Sequence, residues 1–263
     1  MTDELITLHP DGVLSIAIST AENGTALDHE AVLAAQERLQ AVMRGGDDVG
    51  AVLLRGAGKN FCAGGNVAKF AGAPDRRAYL RGLADDLHAL LGTLYDTRLP
   101  VVVEAKGWAA GAGMSLVLHA DLAIGGPSTK MRPAYPGIGL SPDGGMSWML
   151  PRIVGLGRAR TIIMTDQTLD AQTALDLGIL AQVTDDDADV EAAAREAARQ
   201  LADGPRGSIS AIRSLLFDSA TATLRDQLDA EAESISQLGI SAEGREGVDA
   251  FVAKRAPDFR GVR

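Results

Sequence analysis

Residues 100–151 read PVVVEAKGWAAGAGMSLVLHADLAIGGPSTKMRPAYPGIGLSPDGGMSWMLP, and this stretch decides the fold. The run of three valines after the first proline is β-branched, which predicts a strand covered on both faces. At Gly107 the pattern breaks, small residues follow, and the apolar residues 114–118 predict a short buried helix. A second strand and a loop that carries one acid, Asp143, complete the stretch.

The small-residue turn before this helix has two interpretations. It leaves free backbone N–H groups at the positive end of the helix, where a negatively charged oxygen is stabilised. It is equally typical of a tight packing turn between a strand and a helix. The turn alone does not decide between an oxyanion site and plain packing.

Composition limits the classes of protein to which the chain can belong. The 263 residues are 46% hydrophobic and 23% charged, which is enough for one large globular core. A net charge of −10 disfavours nucleic acid and membrane surfaces as partners. Cys62 is the only cysteine, the start of the chain lacks signal-peptide character, and no apolar run approaches the roughly 18 residues of a membrane span. We therefore expect a cytoplasmic protein.

The order of predicted elements indicates an α/β core followed by helices. Residues 5–8 and 13–18 form a hairpin, Asp28 caps a helix that Gly45 ends, residues 51–54 form a buried strand, and residues 74–96 form one long helix. Beyond Pro151 the pattern is helical, beginning with an apolar segment at residues 153–164. The predicted boundary separates a core at residues 1–204 from a helical C-terminal region at residues 205–263.

Nucleotide and metal sites are not indicated. The glycine-rich loop at residues 55–70 lacks both dinucleotide and phosphate-loop fingerprints, and no histidines or acids are spaced for a metal. His88 and His119 lie on predicted helices, where a lone histidine is usually structural.

Two loops and a C-terminal segment carry a resemblance to a known family. FCAGGN at residues 61–66, KGWAAGAG at residues 106–113 and AFVAKRAPDF at residues 250–259 resemble motifs of the enoyl-CoA hydratase/isomerase family, the crotonase superfamily. ENGTALD at residues 22–28 and LDAQTALDLGILAQV at residues 169–183 extend the resemblance over nearly the whole chain. The resemblance implies a crotonase-like spiral of ββα units with a helical C-terminal trimerisation region, hence a homotrimer or homohexamer.

The same resemblance implies a site for an acyl-CoA substrate, with no cofactor beyond its CoA moiety. Gly65 and Ala112 are expected to hold the thioester oxygen through their backbone N–H groups, although Ala112 stands where many members have glycine, and Lys106 where most have asparagine. The residues expected at the CoA are Ala63, Gly65, Asn66, Val67, Ala68, Phe251 and Lys254. Those expected to line the acyl pocket are Trp108, Gly111, Tyr135, Ile138 and Trp148.

The acids separate the possible activities. Hydratases of the family use two glutamates, whose positions are Ser115 and Tyr135 here. Asp143 instead matches the acid of members that isomerise double bonds, including the isomerase of phenylacetate catabolism, which SPDGGMSWMLPRIVG at residues 141–155 resembles. We therefore expect a Δ3,Δ2-enoyl-CoA isomerase in which Asp143 carries the proton. The structural alternative is that Asp143 caps a helix beginning near Gly144.

Other activities remain open on the same fold. One is an enoyl-CoA hydratase, or an acyl-CoA hydrolase or dehalogenase that uses Asp143 as a nucleophile. Another is a non-catalytic binding protein, against which the net charge and the intact loops argue.

Overall fold

Nine strands form two sheets in the computed structural model, which describes residues 5–21 and 25–262. In chain order the strands are β1 (Ile6–Leu8), β2 (Val13–Ser19), β3 (Ala51–Gly56), β4 (Val101–Ala105), β5 (Trp108–Ala110), β6 (Leu122–Gly125), β7 (Lys130–Arg132), β8 (Leu169–Asp170) and β9 (Gln182–Val183). The larger sheet has the order β1-β2-β3-β4-β6-β9, and the smaller β5-β7-β8. The β1–β2 hairpin is antiparallel and the other pairs of the larger sheet are parallel.

Eleven α-helices surround these sheets within the described residues. They are α1 (His29–Met43), α2 (Val67–Gly72), α3 (Arg76–Asp96), α4 (Ala112–Leu118), α5 (Met146–Val154), α6 (Leu156–Met164), α7 (Ala171–Asp176), α8 (Val190–Asp203), α9 (Arg206–Asp218), α10 (Leu224–Ile240) and α11 (Ala242–Ala253). Asp28 caps α1 as predicted, since it accepts from Ala31 N, and Asp170 caps α7 in the same way by accepting from Thr173 N.

The central strands are buried on both faces, as their valine-rich sequence predicts. Successive side chains of a strand point to opposite faces, so the strands divide their side chains between two cores. On one face Val52, Leu54 and Val103 pack in the core that also contains side chains of α1, α3 and α4. On the other face Leu53 and Val102 pack against α8, whose alanines recur every four residues at Ala194, Ala198 and Ala202.

The region after Pro151 differs from its prediction. The helical segment expected at residues 153–164 is two helices, α5 and α6, and α5 already begins at Met146, so that Pro151 lies inside it. Gly155 separates them because its φ of 81° is incompatible with a continuing right-handed helix. Pro151 lies beyond the first turn of α5, so its missing N–H deprives the backbone oxygen of Ser147 of its usual helical donor.

The C-terminal helices expose many apolar side chains. In α9, α10 and α11 only Ala250 is fully buried, whereas Leu216, Leu224, Ile235 and Phe251 are each at least 71% exposed. The boundary between residues 204 and 205 stays a prediction, although α9 does begin directly after Pro205. Part of the ENGTALD motif, residues 22–24, lies outside the described residues. Across the described ranges, none of the helices has the length and apolar character to cross a membrane.

Candidate active site

Two loops lie side by side at the end of the larger sheet. Cys62 N donates to Trp108 O at 3.0 Å, and Ala110 N donates to Cys62 O at 2.9 Å, which forms a parallel bridge between Cys62 and Ala109. Gly65 and Ala112, whose backbone N–H groups the resemblance singled out, each follow this bridge by three residues. The bridge therefore brings together the two loop segments that carry them.

Glycines make this close approach possible. Gly64 and Gly111 have φ values of +93° and +55°, which side-chain-bearing residues rarely adopt. The two glycines also lie close together, since a Cβ built on Gly111 would be within van der Waals distance, 3.6 Å, of the Cα of Gly64. The next residues, Gly65 and Ala112, are thus held next to each other by the backbone itself.

The N–H groups of Gly65 and Ala112 have no acceptor within residues 5–21 and 25–262. Ala112 is the first residue of α4, where an N–H has no intrahelical partner. Both residues line the same cavity. Paired, unsatisfied donors on a rigid backbone are suited to a negatively charged oxygen.

This cavity has a volume of about 550 Å³ and a mainly apolar lining. One wall is the first loop with the start of α2: Ala63, Gly64, Gly65, Asn66, Val67 and Phe70. A second wall comes from α3: Tyr79, Leu80, Leu83, Ala84 and Leu87. The remaining wall includes Gly111, Ala112, Tyr135, Ile138, Leu140 and Asp143. The volume is that of a typical small-molecule site.

Asp143 faces this cavity and is held by Tyr135. Tyr135 Oη donates to Asp143 Oδ1 at 2.5 Å, and Ser115 Oγ donates to the backbone oxygen of Asp143 at 2.9 Å. Among the described residues Asp143 Oδ2 has no hydrogen-bond partner. The helix-cap interpretation is wrong, because α5 begins after Gly145 without a side-chain cap.

Two histidines fix the peptide that follows Asp143. Gly144 N donates to His88 Nε2 at 3.1 Å, and His119 Nε2 lies 3.0 Å from Gly144 O, to which it donates. Burial lowers the pKa of His119, which favours the neutral ring. His88 must also be unprotonated at Nε2 to accept. Both histidines therefore position the Asp143 loop from outside the cavity.

Burial and the neighbouring negative charge of Asp143 raise the pKa of Tyr135. Its ring packs in the main core and the side chain is only 8% exposed. The phenol therefore keeps its proton and acts as a hydrogen-bond donor to Asp143 over the physiological pH range.

Lys106 has a structural partner next to the second loop. Its Nζ lies 3.1 Å from Oε1 of Glu104, a carboxylate in β4 that is 2% exposed. Burial raises the pKa of Glu104, and the ammonium opposes that effect. Neither residue lines the cavity. The lysine at this position therefore compensates a buried acid two residues earlier.

Several residues expected at the site lie elsewhere. Trp148 stacks with Phe217 at a centroid distance of 5.2 Å and lies under the guanidinium of Arg152, because its face of α5 turns toward α9. Trp108, at the exposed start of β5, has Lys130 Nζ 5.7 Å from its ring centroid. Both tryptophans are therefore outside the acyl pocket in which they were expected.

Three residues expected at the CoA are also away from the cavity. Ala68 is exposed on α2, where its two flanking positions on the chain are exposed as well. Phe251 is 84% exposed on α11, and Lys254 follows that helix as its left-handed C-cap. A role for Phe251 and Lys254 at the CoA of a neighbouring subunit stays a prediction.

Sequence reasoning missed part of the cavity wall. Leu80 and Leu83, which were not expected at the site, line the cavity from α3. Arg132 and Asp166 were not considered; their side chains pair at 2.5 Å in the lining, and Asp166 Oδ1 also accepts from Ala134 N at 2.7 Å. The only indication that Leu80 and Leu83 line a cavity is their incomplete burial, which is visible only in the folded structure.

Comparisons with known proteins identify the family of the chain. The sequence profile described as enoyl-CoA hydratase/isomerase matches residues 9–262. A relative in Escherichia coli (strain K12), 1,2-epoxyphenylacetyl-CoA isomerase, is 34% identical over 98% of this chain and 99% of its own length. The 4-chlorobenzoyl coenzyme A dehalogenase-1 of Arthrobacter sp is 30% identical over 86% of this chain and 82% of its own.

Solved structures share the architecture. The crystal structure of an enoyl-CoA hydratase from Polaromonas sp. JS666 superposes with a TM-score of 0.87, at 30% identity, over 96% of this chain and 98% of that one. The expected crotonase fold class is thereby confirmed. Both the profile match over nearly all residues and the relatives at 30% identity or more show that this chain belongs to the enoyl-CoA hydratase/isomerase family.

Proposed function

We propose that the protein is a Δ3,Δ2-enoyl-CoA isomerase in which Asp143 moves the proton and Gly65 and Ala112 hold the thioester oxygen. The observation that carries this proposal is a carboxylate with one unpartnered oxygen in the same cavity as two unpartnered N–H groups. Asp166, the other carboxylate of the lining, has both oxygens occupied by Arg132 and Ala134 N. Asp143 is therefore the better candidate base.

The proposed reaction begins at C2 of a 3-enoyl-CoA. Asp143 Oδ2 removes a proton, the electron pair moves into the thioester, and the resulting dienolate oxygen accepts from the N–H groups of Gly65 and Ala112. Each such donor stabilises the charged state by about 3 to 4 kcal/mol. The carboxyl group then returns the proton to C4, which yields the 2-enoyl-CoA. No water is consumed, and no cofactor beyond the CoA moiety is required.

The residues at the two hydratase positions support isomerisation over hydration. Ser115 and Tyr135 carry hydroxyl groups that contact Asp143, and neither supplies a carboxylate to activate water. The similarity to 1,2-epoxyphenylacetyl-CoA isomerase is consistent with isomerase chemistry.

The similarity to a dehalogenase favours one alternative. In that reaction Asp143 Oδ2 would attack the halogen-bearing carbon of the acyl group and displace halide as the leaving group. Water would then attack the carboxyl carbon of the resulting aspartyl ester and release the hydroxylated acyl-CoA. A single turnover in oxygen-18 water distinguishes the routes, because only the nucleophilic route leaves the heavy isotope in Asp143.

Asp143→Asn tests the proposal. The amide keeps the shape but is not a base, so kcat for a 3-enoyl-CoA should fall by a factor of roughly a hundred or more while acyl-CoA affinity is retained. Asp218→Asn is the matched control, since Asp218 also accepts from a tyrosine, Tyr95, at 2.5 Å but lies outside the cavity. Near-normal turnover by Asp143→Asn, or 3-hydroxyacyl-CoA as the main product of the unmodified protein, contradicts the proposal.

Label transfer gives an independent measurement. If one carboxyl group carries the proton, part of the deuterium of a C2-labelled 3-enoyl-CoA should appear at C4 of the product. If the hydrogen at C4 of the product comes entirely from solvent at every reaction time, the proposal that Asp143 carries the same proton from C2 to C4 is contradicted.

We also propose that the protein assembles as a homotrimer or homohexamer through its C-terminal helices. The support is the number of apolar side chains that α9, α10 and α11 leave exposed in the single chain. In such an assembly α11, which carries Phe251, lies next to a neighbouring subunit.

A further inference from the structure

We propose that Tyr135 is a positioning residue for Asp143: its phenol holds Oδ1 and orients the carboxylate toward the substrate. This inference rests on the proposed isomerase function and deepens it. The two residues are eight positions apart, and the 2.5 Å bond joins their side chains at the cavity wall. Asp143 Oδ2 is left facing the cavity as the basic oxygen.

Tyr135 is a fixed point from which to hold the carboxylate. Its backbone oxygen accepts from both Ile138 N and Leu140 N at 3.1 Å, so the turn that follows is closed onto it. Its ring is packed in the core. A hydroxyl on a buried, doubly anchored residue has little freedom, and the bond therefore restricts rotation of the Asp143 side chain.

Ser115 makes the arrangement a connected set. Ser115 Oγ lies 3.5 Å from Tyr135 Oη and donates to the backbone oxygen of Asp143. The two positions that carry acids in the hydratases therefore both contact Asp143 in this chain, one at its side chain and one at its backbone. Ser115 and Tyr135 thus supply no carboxylate themselves, but both form hydrogen bonds that hold Asp143 in place.

A base must present its free oxygen to the proton that it removes, and the bond from the phenol to Oδ1 leaves Oδ2 as the free oxygen of Asp143. Without the phenol, Asp143 should sample orientations in which Oδ2 points away from C2. This loss of orientation reduces the rate of the chemical step and leaves CoA binding unchanged.

Tyr135→Phe tests this inference because it removes only the hydroxyl. We expect kcat to fall roughly tenfold or more, the scale of a hydrogen bond to a charged group, with KM unchanged. Tyr95→Phe, which breaks the equally short Tyr95–Asp218 bond outside the cavity, should change neither kcat nor KM.

The double variant Tyr135→Phe with Asp143→Asn separates positioning from a general structural effect. If Tyr135 acts through Asp143, adding Tyr135→Phe to the Asp143→Asn enzyme should cause no further loss of activity. A fully additive loss, or a Tyr135→Phe enzyme equal to Tyr95→Phe while Asp143→Asn is inactive, overturns this inference and leaves the proposed function intact. An active Asp143→Asn enzyme defeats both.

A second variant avoids dependence on the stability of Tyr135→Phe. 3-Fluorotyrosine at position 135 keeps both the ring and the hydroxyl that contacts Asp143. In contrast to Tyr135→Phe, its kcat should therefore stay within a few-fold of that of the unmodified enzyme. A fluorinated enzyme with a kcat as low as that of Tyr135→Phe also overturns the inference.

Discussion

Replacing Ala112 by proline should remove one oxyanion donor with little other change. Ala112 is the first residue of α4, the helical position at which proline is best tolerated. Its N–H has no acceptor among the described residues, so no structural hydrogen bond is lost. The preceding residue is Gly111, which has no Cβ to clash with the proline ring.

The size of the effect follows from the geometry. Two N–H groups face the cavity, and Ala112→Pro leaves only that of Gly65. Deleting one such donor typically costs about 3 to 4 kcal/mol in the transition state, or a factor of roughly a hundred to a thousand in kcat. Since packing and helix geometry are retained, the free energy of unfolding should change by less than about 1 kcal/mol.

The assay is saturating turnover of a 3-enoyl-CoA, with thermal unfolding measured on the same samples. Ala112→Gly is the control, because it keeps the N–H and should retain kcat within a few-fold. A folded Ala112→Pro enzyme with nearly normal kcat refutes the assignment of this N–H to the oxyanion. A raised KM with unchanged kcat would also refute it, since it indicates crowding by the ring and not lost stabilisation.

Four further predictions concern stability, assembly and CoA binding. Lys106→Met should lower the free energy of unfolding, measured in urea, by about 2 kcal/mol, because buried Glu104 loses its partner. The double variant Lys106→Met with Glu104→Gln should regain most of this loss. Burial lowers the pKa of His119 below 6.5, so below pH 6.5 the unfolded chain binds a proton that the folded chain does not. The free energy of unfolding should therefore fall as the pH decreases from about 6.5 to the lowered pKa of His119. The fall should be smaller in His119→Gln, and an equal fall in the variant and the unmodified protein contradicts this prediction. Sedimentation at micromolar concentration should give a trimer or hexamer mass, and Lys254→Ala should weaken CoA affinity without changing kcat; a monomer mass contradicts the assembly.

The sequence predicts those features that depend on local pattern. Helix starts at Asp28 and Asp170 follow from side chains that bond the next turn. The buried strands follow from their valines, and the two loops from their glycines. The partner of Lys106 was not predicted, although Glu104 is only two residues earlier, in β4.

Features that depend on the relative placement of elements were not predictable. Trp148 was expected in the acyl pocket, but the direction of its side chain depends on how α5 turns after Gly145, which no periodicity specifies. The bond between Tyr135 and Asp143 spans an irregular loop with a single 3₁₀ turn, so sequence spacing gives no direction for either side chain. His88 and His119 meet at Gly144 only because α3 and α4 flank the same loop.

The position of Cys62 in the bridge between the two loops allows local opening of the loops to be measured by cysteine labelling. The only cysteine of the sequence lies, fully buried, at the point where the two loops are joined. Burial raises the pKa of its thiol to about 12, so the closed protein presents almost no thiolate to an alkylating reagent. The labelling rate of Cys62, with and without a bound ligand, therefore measures how often the two loops separate and how strongly the ligand keeps them together.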